Sequence, residues 1–233
     1  MLLLTLDTST EILSCCITDN NKLISETSIY NLKTHSINSI NVIDTVLKNS
    51  NLTLKEMDGF ITSKGPGSFT GLRIAFSIIK AFSFALNKPM ICLSSLDTLC
   101  YKENFNGVVC SIIDALRDEV YINSYNNKDS IINNTYEGDI VHINNVKDYI
   151  KSKHNTVDNI LFTGYGINKF EKKLKEDFPN SFINNRVISS YEYSILGMEK
   201  FKLGLYDDSN TCSPSYIRLS QAQEMLLKRN SEK

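Results

Sequence analysis

The sequence predicts an α/β protein of two lobes, each built from the same succession of strand, strand, strand, helix, strand, helix. Three observations carry that expectation. Short β-branched and apolar runs follow one another closely at the start, a glycine-rich turn joins a strand to a long apolar helix within the first half, and from Gly107 the same order begins again. The repeat lies in the elements, since the two halves share little sequence. We place the boundary in the polar, unpatterned stretch 101–106, which gives an N-terminal lobe over 1–104 and a C-terminal lobe with a terminal tail over 105–233.

Residues 2–6, 12–17 and 23–29 read as strands joined by the polar turns 7–11 and 19–22, and their close spacing makes an antiparallel meander. Residues 36–48 place Ile37, Ile40, Ile43 or Asp44, and Leu47 on a helical period. Thr53 and Glu56 have the spacing of a capping box for a very short helix. A strand opens at Gly59, and a helix fills 74–86 until Lys88 and Pro89 break the pattern. Residues 90–93 form another strand, and Ser94 with Asp97 opens a brief helix through Leu99. In the second half strands are expected at 108–113, 119–125 and 130–136, then a helix at 145–153 and a strand at 160–163. A helix over 167–177, a strand over 186–189 and a helix over 191–201 follow. The tail from Leu205 ends in a short helix around 221–229.

Gly65, Pro66, Gly67, Ser68, Phe69, Thr70 and Gly71 make a strand-to-helix turn. Such a turn leaves helix-start N–H groups and the positive end of the helix dipole free to meet an anion; equally, Ser68 or Thr70 caps the helix and the turn is purely structural. It is no Walker A loop, which requires Gly-Lys-Ser/Thr after four spacers. On the helix, Arg73, Ser77, Lys80, Ser83 and Asn87 share one arc, while Ile74, Phe76, Ile78, Ile79, Phe82, Phe84 and Leu86 cover the rest. That is more apolar surface than one sheet face buries, and it predicts a second chain packed on this helix.

Composition narrows the function classes. With 233 residues and a formal charge of -1, the chain can bury real cores but lacks the broad basic surface of a protein that grips nucleic acid unaided. Lys169, Lys172, Lys173 and Lys175 read as a solvated helix face. Six cysteines show no CxxC pair and no zinc spacing, and most lie in apolar runs, which fits a reducing cytoplasm. The opening MLLLTL has no basic region before it and reads as a strand, not a signal peptide. No apolar run approaches the roughly 20 residues of a membrane span.

Two facing copies of a meander with two helices is the architecture of actin, sugar kinases and Hsp70 ATPase domains, the ASKHA fold, whose members bind ATP between lobes. The phosphate turns would be 7–11 and 114–118. LDTST from Leu6, GPGSFTGLRI from Gly65, IDALRDEVY from Ile113, TGYG from Thr163 and PSYIR from Pro214 sharpen this. In that order and spacing they resemble, across essentially the whole chain, the actin-like, glycoprotease-related family that serves threonylcarbamoyladenosine synthesis on tRNA.

The resemblance implies a cytoplasmic homodimer that pairs with TsaD, the catalytic paralogue, and through it with the ATPase TsaE. On that footing the chain is a scaffold or activator whose own site is degenerate. It would need no cofactor itself, with ATP and Mg²⁺ belonging to the complex, and tRNA contact would be indirect or weak. In the catalytic paralogue two His four apart on one helix hold a metal, a spacing that puts both rings on one face. Here His35 has Ser39 at that distance, while His142 and His154 lie in the other half, so neither a metal site nor a catalytic residue is assigned. Asp7, Thr8, Ser9 and Thr10 read as a side-chain-stabilised turn or as the remnant of a nucleotide site. Asp114, Asp118 and Glu119 read as hairpin-turn acids beside Arg117 before they read as acid/base carboxylates. Family members usually carry a small residue, often Gly, after GLRI; Ala75 stands here and keeps close packing open.

The partner face is expected on the first-lobe helices, at His35, Ile40, Ile43, Leu47, Phe69, Arg73, Ile74, Ile78 and Phe82. An actin-like ATPase or kinase acting alone, and a metal-dependent peptidase, are the competing classes; the missing His pair speaks against the second.

Overall fold

The computed structural model describes residues 1–30, 35–126, 129–132, 134, 136–154 and 159–217. The first sheet holds β1 (Leu2–Asp7), β2 (Ile12–Asp19), β3 (Lys22–Tyr30), β4 (Gly59–Gly65) and β5 (Met90–Ser94) in the order β3-β2-β1-β4-β5. The second holds β6 (Val108–Asp114), β7 (Glu119–Tyr125), β8 (Asp139–His142), β9 (Ile160–Gly164) and β10 (Phe182–Asn185) in the order β10-β9-β6-β7-β8. The two orders are equivalent. In each sheet the meander is antiparallel, and the two later strands extend it in parallel from its first strand, β4 on β1 and β5 on β4, β9 on β6 and β10 on β9.

Strand alternation sorts the side chains into layers. Leu4, Leu6, Phe60, Met90 and Cys92 face outward and pack on α1 (His35–Ser50) and α2 (Phe69–Leu86) through Val42, Ile43, Val46, Phe76 and Ile79. Leu3, Ile61, Ile91 and Leu93 face inward onto α3 (Ser95–Lys102) and α7 (Ser190–Lys202), where Val109 and Ile113 of the second sheet meet the same cluster. A third core lies beyond the second sheet, where Cys110, Ile112 and Phe162 pack on α5 (Val146–Lys153) and α6 (Glu171–Asp177). A four-residue turn of helix, α4 (Asp129–Ile132), completes the set among the described residues.

Local signals act as expected at several ends. Glu56 accepts from the Thr53 backbone N–H at 2.8 Å, and Ser94 accepts from the Asp97 N–H at 3.3 Å. Four expectations are corrected. The third strand of the second meander lies at β8, not at 130–136: α4 turns Ile131 into the core, and the Asn134 side chain donates to Asp97 at 3.0 Å, so pairing with β7 waits until after Gly138. Residues 133 and 135 of that stretch lie outside the described residues. The expected strand at 186–189 lies instead at 182–185, because the Arg186 guanidinium turns inward to Glu103, Glu192 and the Leu99 carbonyl. The α2 helix begins five residues early, at Phe69. Its supposed polar arc is also partly internal, since buried Ser83 donates to the Lys88 carbonyl at 2.6 Å. The expected terminal helix at 221–229 lies outside the described residues.

By length and composition α2 is long and apolar enough to cross a membrane, yet Leu72, Phe76 and Ile79 sit in the first-lobe core. Part of its remaining surface is covered by the chain's own tail. Asp207 bridges Met90 at the β5 edge, Lys80 donates to the Asn210 and Cys212 carbonyls at 3.2 Å, and the Tyr216 ring lies 4.6 Å from that of Phe69.

On α1, Ile43 is 3% exposed and Ile40 53% exposed, so the two belong to different environments. Ile43→Ala should cost roughly 2–5 kcal/mol in urea unfolding, whereas Ile40→Ala should stay within about 0.5 kcal/mol. Equal costs would show that the α1 face is rotated from this placement.

Candidate functional site

Ligands of open α/β sheets gather at the carboxyl ends of the strands, and here those ends from both sheets face one cleft. The cavity measures about 370 Å³, at the small end of ligand sites, and is lined from the first lobe by Ser9, Thr10, Glu11 and the loop from Pro66 to Phe69. Asp114 to Arg117, Tyr121, Tyr165, Arg186 and Ile188 close the other side.

The first turn is built around Asp7, which β1 delivers to the inner face. Its carboxylate is 1% exposed and accepts from the Ser9 backbone N–H at 3.0 Å and the Ser9 hydroxyl at 3.1 Å. Burial pushes its pKa up to about 6 against the lowering effect of those bonds. Beneath it the buried Tyr193 hydroxyl donates to Ser95 at 2.9 Å, and Ser95 meets Ser63 at 2.9 Å. Thr8 donates to the Gly71 carbonyl at 2.6 Å, and the Ser9 carbonyl accepts from the Ser68 N–H at 2.6 Å.

The glycine-rich loop is therefore seated on this turn backbone to backbone. A Cβ on Gly71 would stand 1.9 Å from the Thr8 carbonyl oxygen, and one on Gly67 2.4 Å from that of Ser9. Ser68 caps α2 by accepting from the Gly71 N–H at 3.2 Å. Of the two readings of this loop, the geometry supports the capped turn.

The second turn is filled from within. Leu116, Arg117 and Asp118 take left-handed φ values of 66°, 53° and 59°, held by Ala115 N–H to Glu119 carbonyl at 2.9 Å and by Leu116 N–H to Asp114 at 2.9 Å. The Lys169 ammonium stands 3.6 Å from Asp114 and 3.5 Å from Asp118, where a bound phosphate or cation would have to compete. Gly164 of TGYG has φ 155° and comes so close to Ile112 that a Cβ would lie 1.7 Å from its carbonyl oxygen. Tyr165 reaches across the cleft mouth to Glu11, and burial followed by that bond pushes its phenol up to about 12.

Ser9 and Thr10 thus line the cleft with Asp7 and Thr8 buried behind them, and Asp114 and Arg117 line its other side. Both Asp7 oxygens are turned onto Ser9, the second turn already holds a cation, and the loop glycines are occupied by packing. That donor set does not fit a Mg²⁺-triphosphate. Among the described residues no group of three His, Cys, Asp or Glu is placed to hold a metal. Arg186 and Tyr193 were not singled out from sequence, and Tyr165 only as part of TGYG; the Ser189 to Glu192 capping box, with its 2.9 Å bond from the Ser189 N–H, hints at how α7 places Tyr193 and presents Glu192 to Arg186.

The expected partner residues separate. Ile40, Phe69 and Arg73 are exposed, with the Arg73 guanidinium 4.0 Å over the Phe69 ring, and Leu47, Ile74, Ile78 and Phe82 are half-buried. Ile43 lies in the core and offers nothing to a partner. His35 opens α1, and its side chain lies outside the description. Both helices run back from strands that point toward the cleft, so their N-terminal turns lie side by side. Ile37 is exposed near the start of α1, as are Ile40 one turn on and Phe69 at the start of α2.

A family model described as TsaD, tRNA N6-adenosine threonylcarbamoyltransferase, matches residues 26–221. The chain is 28% identical over 229 residues, 96% of each chain, to the tRNA threonylcarbamoyladenosine biosynthesis protein TsaB of Bacillus subtilis. It is 35% identical over 124 residues, 51% of each chain, to TsaB of Haemophilus influenzae. The solved YeaZ structure from Pseudomonas aeruginosa superposes with a TM-score of 0.75 at 22% identity, covering 92% of this chain and 100% of that one. The ROK hexokinase of Thermus thermophilus reaches 0.51 at 8% identity, covering 88% of this chain and 100% of that one. The fold is the actin-like two-lobed one.

Two substitutions test the site. Gly71→Ala should lower stability by roughly 1–3 kcal/mol in urea unfolding, since the loop must lift off Thr8; an unchanged midpoint would mean that the loop is not seated there. For Asp7, the raised pKa favours the folded state while the carboxyl is protonated. Its contribution is complete below about pH 3.8 and lost as pH rises through about 6. The stability of Asp7→Asn relative to wild type should therefore rise by up to roughly 3 kcal/mol between pH 4 and 7. A flat difference across that window would place Asp7 in water.

Proposed function

The chain belongs to the TsaD family, and from that premise we propose that it is a non-catalytic subunit of the machinery that makes threonylcarbamoyladenosine on tRNA. Involvement in that biosynthesis follows from membership and from the relatives named TsaB. The finer reading is that this cytoplasmic protein forms a homodimer and pairs with a TsaD-like catalytic protein. Through that protein it meets a TsaE-like ATPase, and it touches tRNA weakly or not at all.

The observation that carries the reading is the cleft itself. The two turns that would grip a nucleotide are bonded to their own surroundings, Asp7 to Ser9 and Asp114 with Asp118 to Lys169. Near the starts of the two outer helices, Ile37 and Ile40 of α1 stand in water, and Phe69 of α2, at the rim of the cleft, carries the Arg73 guanidinium 4.0 Å over its ring, residue types of the kind found at interface hot spots.

Reconstitution tests this directly. With a TsaD-like protein, a TsaE-like protein, ATP, threonylcarbamoyl-adenylate and tRNA supplied, modification should fall to background when this chain alone is omitted. The isolated chain should release negligible heat on titration with Mg-ATP. Ile40→Glu should keep a wild-type circular dichroism spectrum while pairing roughly tenfold or more weakly. Tight Mg-ATP binding with hydrolysis by the purified chain would overturn the reading in favour of an ATPase acting alone.

A further inference from the structure

The tail described above is fastened where two sulfur-bearing strands of chain meet. Cys92 lies on the outward face of β5 in the first-lobe core, and Cys212 of the tail packs against that same cluster, its sulfur 3.9 Å from the Met90 sulfur. The backbone fixes the approach on both sides. The Cys92 N–H donates to the Asp207 carboxylate at 2.7 Å, the Cys212 N–H donates to the Asp208 carbonyl at 2.9 Å, and Lys80 of α2 holds the Cys212 carbonyl at 3.2 Å.

We propose that Cys92 and Cys212 are a thiol pair oxidised by hydroperoxides to a reversible disulfide, a clasp that fastens the tail to β5 and α2. The two residues have the division of labour such a pair needs. Cys212 is half-exposed, and its hydrogen bond with Cys92, helped by the Lys80 ammonium against burial and the Asp207 and Asp208 charges, brings its thiol down to about 7. Cys92 is buried, and that same bond, together with burial, holds its thiol well above the ordinary range. The other four cysteines are buried with thiols raised chiefly by desolvation, Cys16 and Cys100 to about 12. Only Cys212 combines access with thiolate character among the six.

In the first step the Cys212 thiolate attacks the outer oxygen of the hydroperoxide. The O–O bond breaks, the departing oxygen takes a proton and leaves as water or an alcohol, and Cys212 becomes a sulfenic acid. In the second, the Cys92 sulfur attacks the sulfenic sulfur, the S–O bond breaks, and hydroxide leaves as water with the Cys92 proton. Two thiols lose two electrons and the hydroperoxide gains them. Tyr216, four residues beyond Cys212, leans on Phe69 and accepts from Arg73 at 3.0 Å, so the clasp tethers the strap beside the exposed face of α2. The clasp stands whether or not that face docks a partner.

Hydrogen peroxide added to the full chain, followed by alkylation and tryptic mapping without reductant, reads it out. The expected product joins peptide 81–102 to peptide 203–218, two hydrogens lighter than their sum, with fragmentation placing the bond on Cys92 and not on Cys100, and dithiothreitol removes it. Before oxidation, iodoacetamide at pH 7 should modify Cys212 about tenfold faster than any other cysteine. Cys212→Ser and Cys92→Ala should each abolish the product, with circular dichroism confirming that both fold. Cys212 driven to sulfinic acid while Cys92 stays a free thiol would overturn the proposal, as would a disulfide joining the same two peptides in Cys92→Ala.

Discussion

The molecule depends on two peptide chains lying closer together than a side chain would permit. The glycine-rich loop rests on the β1–β2 turn with Gly71 against the Thr8 carbonyl and Gly67 against that of Ser9, tied by two reciprocal bonds of 2.6 Å. Backbone groups buried in such a contact must find partners, and here the Ser9 carbonyl takes the Ser68 N–H while the Gly71 carbonyl takes the Thr8 hydroxyl. The contact fixes where α2 begins, since Ser68 is both the donor to Ser9 and the cap of the helix. A loop that in other folds would lend its N–H groups to a phosphate has here given them to the protein.

A second consequence concerns charge. With the loop closed over it, Asp7 loses water and keeps bonds from Ser9 and the Thr8 backbone, with Tyr193 near, and burial outweighs them so that its acidity falls. The opposite turn solves the same problem with a cation: Lys169 sits between two acids that would otherwise repel. Each half of the duplicated fold therefore neutralises its turn by its own means. The duplication survives in strand order and not in the chemistry of the turns.

Much of this was legible in the chain. Strand alternation, the caps at Thr53 and Ser94 and the equivalence of the halves rest on local rules, and the structure follows them. The misplaced strands fail for a shared reason. Ile131 and Ile132 have β propensity, but Asn134 is drawn to Asp97, a partner thirty-seven residues away that no local pattern announces. Arg186 similarly ends β10 because Glu103 and Glu192 wait inside. Periodicity placed Ile37, Ile40, Ile43 and Leu47 on one helical face. The sheet takes Ile43 and leaves Ile40 in water, because α1 meets a flat surface with a narrower stripe than the period allows.

The expectation that a second chain packs on α2 rested on counting its apolar residues, and the chain's own tail shares that helix, bonding to its Lys80 and Arg73 side. The strap from Asp207 to Tyr216 lies along β5 and α2, taking the Lys80 side of the helix out of contention. What remains in water is divided between the N-terminal turns, at Ile37, Ile40 and Phe69, and the far end, where Phe84 is 74% exposed. On α2 the exposed Phe69 and Phe84 stand fifteen residues apart, about 22 Å at 1.5 Å per residue, too far to form one compact hot spot. The cleft-side cluster has Arg73 and Tyr216 to rim it, whereas a lone exposed phenylalanine is ordinary surface. A docking partner that makes its main contact here must therefore approach from the cleft end, against the strap, where the position of Tyr216 controls how much of Phe69 it can reach.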